Sequence, residues 1–302
     1  MRWNRKGGRS SDVIDARGGG GGGGGGGFGG IPGGGRVAIP GGLGIVGAIA
    51  FVLITLLSGG GSGSAFGVDS QFGGTAQAPD AQPIPAGQDP ELELKRFSSY
   101  VFTRVQNTWE DTFERAGRRY DRSQLVLYRG GVSTGCGSAS SAVGPFYCPA
   151  DRRVYVDLSF YDDMARQLGA SGDFAWAYVI AHEVGHHVQN VLGTSTEVRR
   201  LQQQEPGAAN DLSVRLELQA DCYAGVWANT VYAAGDLEQG DVREAVGASE
   251  AVGDDRLQRR ASGSVDPDSF THGSSEQRAS WFNTGRERGE PGDCDTFSTE
   301  EP

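Results

Sequence analysis

The chain has 302 residues, a formal net charge of −11, 50 glycines, four histidines and four cysteines. Its acidic balance argues against nucleic acid as a partner. The glycines are unevenly spread, and the composition changes sharply along the chain.

Residues 1–36 carry Arg2, Arg5, Lys6, Arg9, Arg17 and Arg36 against Asp12 and Asp15, with an unbroken glycine run from Gly18 to Gly27. Polyglycine has maximal chain entropy and no side chain to bury, so a disordered basic tail is expected. Val37–Leu57 has no charge and is apolar enough for one bilayer crossing, which takes ~20 residues. Pro40, Gly41 and Gly42 weaken its first turn but are tolerated in a membrane helix. The run is long for a signal peptide and no clear A-x-A site follows it, so an uncleaved anchor is favoured over a secreted, soluble product. With the basic flank N-terminal, the positive-inside rule places residues 1–36 in the cytoplasm and the remainder outside the cell membrane. Residues 58–89, rich in Gly, Ser, Ala and Pro, read as a flexible linker.

Residues 90–302 suffice for one domain with a core. Leu94, Phe97, Val101, Val105, Trp109 and Phe113 recur at three- or four-residue steps, which predicts an amphipathic helix over 90–116. Gln124–Tyr128 reads as a short strand. Cys136, Cys148, Cys222 and Cys294 all follow the apolar segment, and an even number in an extracytoplasmic domain suggests disulfides. Of the three possible pairings, Cys136–Cys148 would close a Gly/Ser-rich loop and Cys222–Cys294 would tie down the chain end; these are favoured. A second metal site is the alternative, though no C-x-x-C pair supports it. The alternating β-formers of residues 153–160 predict another strand.

Ala181-His182-Glu183-Val184-Gly185-His186-His187 contains the H-E-x-x-H pattern. Phe174, Tyr178, Ala181, Gly185, Val188 and Leu192 place it inside an amphipathic helix that starts at Ser171-Gly172-Asp173 and stops at Leu192-Gly193. On a helix, His182 and His186 at i and i+4 aim at one point, which suits a single zinc ion, and Glu183 beside them can accept a proton from water. Affinity alone does not separate zinc from manganese or cobalt, but a mixed His/Glu set favours zinc. His187 points about 100° away from His186 and is read as structural.

A catalytic zinc keeps three protein ligands and one open position. Arg215–Cys222 opens another helical run through Val226, Trp227 and Val231, in which Glu217 and Asp221 are again i and i+4. Glu217 is assigned to the metal, and Asp221 to the second N–H of a ligand histidine, where it fixes the tautomer. Residues 236–260 read as a further charged helical segment. One helix, a small sheet and then helices define an α+β class.

His182-Glu183-x-x-His186 followed by Glu217-x-x-Ala220-Asp221 resembles the gluzincin metallopeptidases. The wider string is Cys136-Gly137-Ser138-Ala139, Gly144-Pro145-Phe146-Tyr147-Cys148-Pro149, Val154–Phe160 and His182–Gln189. It resembles the bacterial "putative neutral zinc metallopeptidase" family over residues 90 to 297, with the first 90 residues outside the diagnostic part. The resemblance implies a zincin-like α+β domain behind a single membrane helix, acting on peptide or protein substrates. It implies that residues 153–160 form the edge of the cleft, where an extended peptide would pair its backbone. It also implies that His272, the last histidine in the chain, donates to the oxyanion of the tetrahedral intermediate, with Arg278 assisting or orienting its loop. A non-catalytic zinc-stabilised module binding peptides or envelope partners is the alternative. Glu183 speaks against it, since a structural site needs no general base.

Overall fold

The computed structural model describes residues 1–4, 11–18 and 83–299. Strand β1 (Val13–Asp15) comes first, followed by helix α1 (Leu92–Arg115) and strand β2 (Gln124–Tyr128). Helix α1 buries Phe97, Val101, Phe102, Val105, Trp109 and Phe113 along one stripe, as the spacing predicts. A hairpin of β3 (Gly131–Thr134) and β4 (Gly137–Ser140) leads to β5 (Phe146–Cys148) and β6 (Arg153–Asp157). Cys136 in the hairpin turn is disulfide-bonded to Cys148 on β5, and Cys222 to Cys294, the favoured pairing.

The main sheet has the order β1-β2-β6-β5. Strands β1, β2 and β6 run parallel and β5 runs antiparallel to β6. This corrects the assignment of residues 153–160 to the cleft edge. Strand β6 is paired with β2 along its length and with β5 at Arg153–Tyr155, so β5 is the outer strand. Val154, Tyr155, Val156 and Asp157 are all buried, the mark of a strand covered on both faces. After Asp157 the chain turns into the short helix α2 (Phe160–Asp163).

Helix α3 (Asp173–Leu192) carries H-E-x-x-H, and Gly193 stops it in the left-handed conformation at φ 88°. It is not amphipathic: residues 174–185 and 187–189 are all buried. A helix apolar on every side belongs in the middle of a domain, and α3 packs against α1, α5 (Ala209–Ala233) and α6 (Asp241–Ala251). Helix α4 (Thr194–Gln204) joins α3 to α5. The segment expected as one helix over 236–260 is two, α6 and α7 (Asp254–Ser262), broken at Val252-Gly253. Helix α8 (Ser275–Arg288) starts at a capping box of Ser274 and Gln277, which satisfies two orphan N–H groups.

Helices α3, α5 and α8 approach so closely that side chains are excluded at the crossings. A Cβ on Gly185 of α3 would lie 3.0 Å from the Ala220 carbonyl oxygen of α5. One on Gly285 of α8 would overlap the Cys222 carbonyl oxygen. Gly285→Ala must push α8 off α5, and we expect a loss of about 2–4 kcal/mol, from overpacking at main-chain contact, in urea unfolding. A loss under 0.5 kcal/mol would show that the crossing has slack.

The N-terminal residues depart most from expectation. Residues 1–4 and 11–18 are not a free tail: β1 pairs with β2 in register Val13 to Leu125, Ile14 to Val126 and Asp15 to Leu127. Met1 is buried in the main core, its amino group bonding Asp173 at 2.7 Å at the start of α3. A single crossing between Gly18 and Pro83 would put these residues and the domain on opposite sides of a membrane. The expected single-pass anchor, with a cytoplasmic tail and an outer domain, is therefore overturned. Val37–Leu57 itself lies outside the described residues, and among the described residues no helix is long and apolar enough to cross a membrane.

Candidate metal centre

One turn of α3 and one turn of α5 face each other across the Gly185–Ala220 contact. From α3 come His182 and His186, from α5 Glu217. His182 Nε2 lies 3.2 Å from Glu217 Oε2, and His186 Nε2 lies 3.4 Å from Glu217 Oε1. One ligand atom from each of the three lies within 4.8 Å of the other two. Tetrahedral bonds of about 2.0–2.1 Å separate ligand atoms by about 3.3 Å, which the two histidine–carboxylate separations match. Two imidazoles and a carboxylate also leave the fourth position open, and the residues present fit the metal.

The far side of each imidazole is held. His182 Nδ1 is 2.8 Å from Asp221 Oδ1, and His186 Nδ1 is 2.9 Å from Gln189 Oε1. With Nδ1–H donating, Nε2 of each ring is the atom turned toward the shared point, and its lone pair is available there once the ring is neutral. Gln189 is itself fixed, donating through Nε2 to the Leu216 carbonyl at 2.6 Å. Asp221 is fully buried and also accepts from Tyr178 Oη at 2.5 Å and from Arg278 Nε and Nη2 at 2.8 and 3.0 Å. Arg278 sits beneath the site and neutralises a carboxylate, and its Nη1 also donates to the Val252 carbonyl in the α6–α7 connection at 3.3 Å.

Electrostatics agree with this layout. Burial alone would lower the His182 pKa, but Asp221 and Glu217 outweigh it and push it up to about 10. Burial would raise Glu217, yet the two histidines hold it well below the usual carboxylate range. Asp221 is lowered too, against its burial, chiefly by Arg278. Glu183 moves the other way, raised mainly by burial, and so holds a proton more readily than an exposed glutamate. A metal entering this site would have to displace a proton from His182.

His272 lies in the loop before α8 and is buried. Its Nδ1 is 3.1 Å from Asp254 Oδ1, while its backbone N–H donates to Asp254 Oδ2 at 2.7 Å. Its Nε2 is buried with no hydrogen-bond partner. Its neighbour Gly273 lies against Val214 and Leu218 of α5, where a Cβ would come within 3.3 and 3.2 Å of their side chains, so the loop packs on the turn of α5 that carries Glu217. His187 faces elsewhere: Nε2 is 2.6 Å from the Asp121 carbonyl and Nδ1 is 3.0 Å from Tyr147 Oη. Burial drives its pKa down to about 4, so it stays neutral and ties α3 to β5.

All six residues assigned from the sequence thus lie on α3, α5 or the loop before α8. Three supporting residues were missed. Gln189 stands three residues after His186 and Tyr178 four before His182, so helical spacing could have flagged both. Asp254 is far from His272 in sequence, and no spacing pointed to it.

Comparison with known proteins identifies the class. The family model "Putative neutral zinc metallopeptidase" matches residues 1–297, and the chain belongs to that family. The match includes the N-terminal residues that carry β1, which correspondingly belong to the family's pattern. Among relatives, the uncharacterized protein YpfJ of Escherichia coli strain K12 is 47% identical over 299 residues, covering 98% of this chain and 99% of the relative. The uncharacterized protein Rv2575 of Mycobacterium tuberculosis strain H37Rv is 48% identical over 193 residues, 59% of this chain and 64% of the relative. No solved structure matches.

Proposed function

We propose that this chain is a zinc-dependent peptidase that hydrolyses peptide bonds in peptide or protein substrates. The observation that carries the reading is the convergence of His182, His186 and Glu217 at tetrahedral spacing, with Glu183 adjacent on the same turn. His182, His186 and Glu217 would hold one zinc ion. When bound, zinc supplies a Lewis acid that acidifies water and draws electron density from the scissile carbonyl.

Glu183 accepts the proton of the attacking water and passes it to the leaving amine, so the nitrogen departs neutral. In its doubly protonated form His272 would donate from Nε2 to the oxyanion while Nδ1–H donates to the Asp254 carboxylate, which balances the ring's charge. Asp221 orients His182, and Gln189 orients His186.

Metal removal tests the reading. The full chain is expected to cleave members of a quenched fluorescent peptide library, to stop after 1,10-phenanthroline treatment and dialysis, and to resume with one equivalent of zinc. Cleavage that survives complete zinc removal would contradict it.

A further inference from the structure

The strand β1 and the residue that follows it occupy a surface built to receive an extended peptide. Its backbone adds to the outer edge of β2: Leu125 N–H donates to the Asp12 carbonyl at 2.7 Å and Ala16 N–H to the Leu127 carbonyl at 2.8 Å. Beyond the strand, Arg17 enters a carboxylate socket and is only 6% exposed. Its Nη1 and Nη2 donate to Asp89 at 2.9 and 2.5 Å, its Nη1 also to Glu91 at 3.2 Å, and its Nε to Asp15 of its own strand at 2.8 Å. Lys95 of α1 reaches Asp15 at 2.6 Å, and Arg122 reaches Asp12 at 2.6 Å. The strand's acids thus meet the domain's bases, and its base meets the domain's acids. Trp3 packs edge-on to Phe97 of α1 at 5.4 Å.

Residues 19–82 connect this strand to the domain. A connection of that length supplies an effective concentration of about millimolar or less, and lengthening or shortening it twofold changes the closure cost by only ~0.6 kcal/mol. The contacts above must therefore supply the affinity that remains when the connection is cut. Arg17 dominates them, because its loss takes two charge-assisted bonds from the fully buried Asp89 carboxylate, whereas Glu91 keeps Arg129.

We propose that the edge of β2 and the Asp89–Glu91 socket form a peptide-binding site, and that its ligand is the chain's own residues 11–18, read as an extended strand anchored by Asp15-x-Arg17. The strand is a docked ligand that survives severance from the domain. This is independent of the catalytic reading, since none of these groups belongs to the metal centre.

The test uses the full chain with one sequence-specific protease site placed in the Gly18–Gly27 run, purified intact and then cut. The N-terminal fragment is expected to co-elute with the remainder on gel filtration, and the same fragment from an Arg17→Met chain to elute separately. To cover failure of that variant to fold, the cut wild-type complex is also incubated with excess synthetic peptide of residues 1–18, and exchange is read by mass spectrometry. The wild-type peptide should replace the fragment, and the Arg17→Met peptide should need at least a hundredfold higher concentration. Separation of the wild-type fragment on cutting, no exchange with either peptide, or equal exchange with both would overturn the proposal.

Discussion

Glu183→Gln is expected to lower kcat/KM by roughly 10²–10⁴-fold on any peptide the wild type cleaves, while zinc content is unchanged. The amide has the size of the carboxylate and fits the same buried position one residue after His182. It cannot take a proton from water, nor return one to the amine. The three proposed metal donors are untouched, because His182, His186 and Glu217 form a group that does not include Glu183. Steady-state kinetics and mass-spectrometric metal analysis on the same preparations check both halves. Equal loss of zinc in the variant would show Glu183 to be part of the metal's support, and activity within tenfold of wild type would remove it from the reaction.

Arg278→Met should have the second-largest effect, on stability. Arg278 is 3% exposed and supplies two of the bonds that Asp221 accepts. Met replaces the packing volume but leaves a buried carboxylate short of its positive partner, a change that costs about 3–5 kcal/mol. Arg278→Met with Asp221→Asn removes both charges and should recover at least half of that loss in urea unfolding. The double variant should still bind zinc ~10–100-fold more weakly, because a neutral amide oxygen replaces the charged acceptor that raises the basicity of His182. A single variant within 1 kcal/mol of wild type would show that water reaches Asp221.

Much of the centre was legible because its geometry is local. His182 and His186, like Glu217 and Asp221, are each one helical turn apart, and helix periodicity turns that spacing into a shared direction. Helix α1 was likewise visible by its period, and strand β2 by the uninterrupted β-forming run Leu125–Tyr128. The disposition of β6 was readable in hindsight, for Val154-Tyr155-Val156 is an uninterrupted apolar run of the kind that strands covered on both faces show. Strand β1 gave no such handle. Three residues, Val13-Ile14-Asp15, are too few for a period, and the polyglycine that follows dominated the composition of the segment. Arg17 looked like one more charge of a basic tail, because its partners Asp89 and Glu91 lie beyond residues 19–82. Pairings made only in three dimensions, such as Asp254 with His272, leave no spacing to read.

The most direct measurement is zinc K-edge X-ray absorption on the purified full chain, beside a Glu217→Ala variant. We expect one zinc per chain, bound by two imidazoles and one carboxylate at about 2.0–2.1 Å, with most of the metal lost from the variant. Zinc absent from the wild type, a thiolate in its shell, or full occupancy in Glu217→Ala would contradict the assignment of His182, His186 and Glu217.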